Sequence, residues 1–143
     1  MQHDIITKKI RENLTAQKQR LDAYLTILDY ESADIADKDA DKLQSHVKME
    51  SRIVSELNEF KKVLGPLEDM YQQADGHDDE SLDDLRSCVM SITHKVQEKS
   101  DENKRMLDET LVQMQSRINT LPKRNISKND YSGIDSRFID ITL

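Results

Sequence analysis

The chain of 143 residues has no tryptophan, one cysteine, two prolines and three glycines. Each scarcity removes a class of structure. A β-sandwich or barrel needs many turn residues, with strands rich in β-branched and aromatic side chains, and aromatics make up only 4% here. A doubly wound α/β fold needs glycine-rich loops after its strands. Cys88 alone cannot build an intramolecular disulfide framework. No run of about 18 apolar residues exists to span a bilayer, and Met1-Gln2-His3-Asp4 is not followed by the apolar stretch of a secretory leader. A basic surplus is missing too, the formal net charge being −7. Nucleic acid and anionic membrane surfaces are held by clustered Lys and Arg, so neither is an expected partner. A cytoplasmic protein without membrane insertion is the expectation.

What is present is charge: 34% of residues are charged and 36% hydrophobic, against roughly 25% and 45–50% in an average domain. That balance suits long helices with narrow apolar seams and wide wet faces. Ile10, Leu14, Leu21, Leu25, Leu28 and Ile35 follow steps of 4, 7, 4, 3 and 7, a heptad rhythm in which Gln17 and Lys18 leave one layer polar. The aspartates between Asp34 and Asp41 favour a helix start. They place a break there, with a second helix beginning near Asp39; the rival is one unbroken helix with an acidic face. His46, Ile53, Leu57, Phe60, Leu64, Leu67 and Tyr71 carry the second seam, which Gly65-Pro66 should kink without ending. Residues 74–80 read as a loop, and Ser81 with Asp84 as a capping-box-like start. The third seam runs from Leu82 through Leu85, Val89, Ile92, Val96, Asn103, Leu107, Met114 and Ile118 to Leu121, where Pro122 stops it. A helix of that span is about 60 Å long, so the body is elongated. The expected fold is an all-α, antiparallel bundle of about three long helices over 1–121. A tail, 122–143, is flexible or folds on a partner.

No catalytic constellation is legible. The histidines, His3, His46, His77 and His94, form no zinc-binding pattern. His77 with Asp78, Asp79 and Glu80 could hold a hard cation, but a solvated loop and acids at a helix N-terminus explain it more simply. The Asp37, Asp39, Asp41 series fails as an EF-hand because Lys42 and Lys48 occupy the glycine and glutamate positions. Cys88 lacks an activating base, and no phosphate-cradling or nucleophile motif occurs. The chain is expected to be no enzyme, with no cofactor and no metal. Met90, Met106 and Met114 lie along the third stripe, as plain core filling or as an adaptable surface for guest helices. Asn103, polar at a seam position, either fixes register or caps an open groove.

In its order of elements the chain resembles the FlgN-like family of flagellar export chaperones. The resemblance rests on Leu21-Asp-Ala-Tyr-Leu-Thr-Ile-Leu-Asp-Tyr-Glu31, on Leu43 to Phe60 with Lys48-Met-Glu50, on Asn103-Lys-Arg-Met-Leu-Asp-Glu-Thr-Leu111, and on Tyr131-Ser-Gly133 followed by Ile139-Asp-Ile141. The tyrosine–glycine spacing is shorter than the family's usual one. The resemblance implies a chaperone that masks the C-terminal amphipathic helices of hook-filament junction proteins and delivers them to the cytoplasmic domain of the export gate. The third apolar stripe is longer than two other helices, one of them kinked at Pro66, would cover, so Asn103, Leu107, Leu111, Met114 and Ile118 are the expected client groove. Tyr131 falls at the gate-binding position, with Ile134, Phe138, Ile139 and Ile141 as a tail clasp. The alternative is a homo-oligomeric coiled-coil spacer or tether.

Overall fold

The computed structural model describes residues 2–74 and 79–120. They form three helices, α1 (Gln2–Asp37), α2 (Ala40–Gln73) and α3 (Glu80–Thr120), with no strand among the described residues. The all-α bundle expected from the heptad steps is what forms. α1 packs against both α2 and α3. It meets α2 antiparallel, Tyr24 opposite Glu50 and Asp34 opposite His46. It meets α3 parallel, Arg11 beside Asp79, Leu28 beside Asn103 and Ser32 beside Met106. The topology is therefore up, down, up.

The core is a column of three apolar layers. Ile6, Ile10 and Leu14 meet Tyr71 and Leu82 at one end. Leu21, Tyr24, Ile27 and Leu28 meet Ile53, Val54, Leu57, Ile92 and Val96 in the middle. Ile35 meets Leu43, Val47 and Leu107 at the other end. Burying each large aliphatic chain contributes roughly 1.5–3 kcal/mol, which suffices because each helix needs only one stripe covered.

The break near residue 38 is a two-residue turn. Lys38 adopts a left-handed φ of 57°. Its N–H donates to the Ile35 carbonyl (3.1 Å) and that of Asp39 to the Asp34 carbonyl (2.9 Å). These two bonds close α1 in a Schellman motif. Asp39 then caps α2, its carboxylate accepting from the Lys42 N–H at 3.1 Å. α2 runs unbroken through Gly65-Pro66 and α3 through Ser100-Asp-Glu102. The cap of α3 differs from expectation. Asp79 takes that role instead of Ser81, its carboxylate accepting from the Ser81 N–H at 3.0 Å and hydroxyl at 2.6 Å. The Ser81 hydroxyl bond, with backbone donors and Arg11, holds the Asp79 carboxyl below its usual range. An aspartate two residues upstream outcompetes the serine because its charge also complements the helix dipole. Arg86 ties α3 to α2 through a two-pronged bond to Glu68 (3.1 and 2.8 Å) while lying 5.4 Å over the Tyr71 ring.

Candidate functional site

The far end of α3 outruns the α1–α2 hairpin. With Met106 beside Ser32, α3 draws level with the end of α1 near residue 111, and its remaining turns project about 14 Å further. Leu111 and Met114 pack partly against the last core layer. Ile118 is half-buried, and Val112 is 69% exposed. The stripe proposed from sequence as a client groove thus divides in two. Asn103 and Leu107 are buried, Leu107 completely. Asn103 donates to the Leu28 carbonyl at 2.9 Å, which favours the register role over a groove cap. Leu111, Met114 and Ile118 keep accessible apolar surface. Tyr131, Ile134, Phe138, Ile139 and Ile141 lie outside the described residues, as do His77 and Asp78 of the acidic loop.

A second apolar surface lies on the α1–α2 face. Ala23, Thr26, Ile27 and Tyr30 of α1 and Met49 and Ile53 of α2 line an open groove of about 440 Å³, with Arg52 on its wall. Tyr30 and Met49 are each about half exposed. The heptad count missed this groove because Tyr30 and Met49 stand beside the seams, not on them. Their signal was large apolar side chains flanking a stripe that was already complete.

Between these two surfaces the hairpin holds a buried polar cluster that sequence reading also missed. Tyr24, Glu31 and Glu50 are fully buried, and Asp34 is nearly so. The Tyr24 hydroxyl donates to Glu50 Oε1 at 2.6 Å. The second Glu50 oxygen and both Glu31 oxygens lack a conventional donor. Glu31's hydrogen-bonding neighbour is Glu50 itself, and two carboxyls can share such a bond only through a proton. Burial, that bond, and the charges of Glu50 and Asp34 push the Glu31 carboxyl up to about 10. Burial and the neighbouring Glu50 likewise raise the Tyr24 hydroxyl. Nearer the surface, half-buried His46 pairs through Nδ1 with Asp34, and its ring lies 5.3 Å from that of Tyr30. The signal lay in the seven-residue steps. Gln17, Glu31, Glu50 and Ser100 fill the seam positions those steps skip, and all four are buried. Among the described residues no three acidic, histidine or cysteine side chains gather closely enough to hold a metal ion.

No family model and no solved structure matches the chain. It is similar to an uncharacterized protein of Treponema pallidum (strain Nichols), 26% identical over 101 residues. The alignment covers 70% of this chain, and this chain spans 64% of that relative's length. Among the described residues no helix is long and apolar enough to cross a membrane.

Proposed function

We propose that the chain is a helix-binding chaperone of the FlgN-like type its sequence resembles, working in the cytoplasm on the C-terminal amphipathic helices of hook-filament junction proteins. The observation that carries this reading is the incompletely covered stripe of Leu111, Met114 and Ile118 at and beyond the hairpin tip. An amphipathic guest helix needs such a stripe, matched at its own i, i+3, i+4 and i+7 positions. Patches of this kind on a soluble body mark partner sites. Recognition needs only apolar burial and rim charges, so the reading requires no cofactor. Delivery to the export gate, with Tyr131 as contact, extends the same reading and rests on the sequence resemblance alone.

Calorimetry with the C-terminal helix of a hook-filament junction protein tests it. The expected result is a 1:1 complex that Met114→Asp abolishes while circular dichroism stays unchanged. A constitutive dimer by light scattering, with no uptake of the client helix, would establish the spacer reading instead.

A further inference from the structure

We propose that a single proton held between Glu31 and Glu50 latches α1 to α2, so that the bundle loosens as its surroundings turn alkaline. The geometry leaves little alternative for the pair. Both side chains are fully buried, on different helices of a hairpin whose turn is only two residues long. Two ionised carboxylates sharing one buried site are strongly unfavourable, and a shared proton converts that repulsion into a hydrogen bond. Tyr24 donates to Glu50 and not to Glu31, which leaves the Glu31 oxygens dependent on the proton.

Among the described residues no lysine or arginine is buried to take its place. On α1 the neighbouring ionisable groups are Tyr24 and Asp34, and on α2 His46, which is turned to Asp34. α3 brings buried Ser100 and Asn103 and half-buried Lys104 to this level, and its Lys99 is engaged with Asp29 at the surface. His46 and Asp34 form a polar pair between the half-exposed Tyr30 and the buried carboxyls.

The sign follows from linkage. Glu31 binds its proton far more tightly in the folded chain than in the unfolded one, where it behaves as an ordinary carboxyl. The stabilisation is complete below the ordinary carboxylate range and is lost progressively as pH rises towards the folded value of about 10. Urea unfolding of the full chain at pH 6, 7, 8 and 9 tests this against Glu31→Gln, whose amide donates to Glu50 without a titrating proton. The wild-type unfolding constant should rise about tenfold per pH unit relative to the variant, and the variant should be the more stable at pH 9. Parallel pH dependences would overturn the latch. So would stabilisation of the wild type, but not of Glu31→Gln, by added zinc or manganese, because a metal would then hold the pair. Should the variant fail to fold, carbon-13 NMR of the wild type decides: a Glu31 carboxyl resonance in its protonated position at neutral pH supports the latch, and an ionised one refutes it.

Discussion

Tyr24 donates to a carboxylate that is itself wholly buried, so its hydroxyl matters out of proportion to its size. Tyr24→Phe preserves the ring packing against Ile53 and Leu57 and strips Glu50 of that donor. Leaving a buried acceptor unpaired costs about 1–3 kcal/mol, and urea unfolding should register a loss in that range. Leu107 makes the contrasting case. Its complete burial against Ile35, Leu43 and Val47 means that Leu107→Ala should cost about 2–5 kcal/mol, read by thermal melting whether or not a client is present. The apolar seams were legible because side-chain spacing alone sets which face of a helix is covered. The carboxyl pair was not, because a glutamate at a seam position looks the same in sequence whether it faces a partner helix or water. Only the register between α1 and α2 brings residues 31 and 50 together, and register is a property of two helices that neither segment states by itself.

At the level of elements, the α1–α2 turn is built against its own chemistry. Lys38 holds a left-handed backbone that favours glycine, while its side chain is exposed. Lys38→Gly should therefore stabilise the fold by about 0.5–1 kcal/mol. Asp39→Ala should remove the cap on the Lys42 N–H and cost about 1 kcal/mol; chemical denaturation of both variants checks the opposite signs. The position of this turn was readable from the run of aspartates, because short acidic side chains satisfy free N–H groups and mark helix starts. The start of α3 was misplaced by two residues for the same reason. Several neighbouring acids and a serine could cap it, and only the bonds made by Asp79 decide among them. The length of α3 was readable from its unbroken seam. How far it overhangs was not, since that depends on where α1 ends relative to α3 in space.

For the whole molecule, the three apolar layers close within one chain, so the core requires no second copy. Sedimentation of the free protein should give an elongated monomer, and Met114→Asp should leave that result unaltered. The connectivity also sets a timetable. Tyr24 reaches Glu50 over 26 positions and Asp34 reaches His46 over 12, whereas α1 and α3 are joined by links 68 to 75 positions apart. Closing short loops first is entropically easier. The hairpin should zip from the Lys38-Asp39 turn in the folding transition state, with α3 docking afterwards along the completed α1 face. In stopped-flow experiments Lys38→Gly should then speed folding, while Leu107→Ala should mostly speed unfolding. A chain emerging from the ribosome would meet the same sequence of events, its first two helices paired before the third had been made.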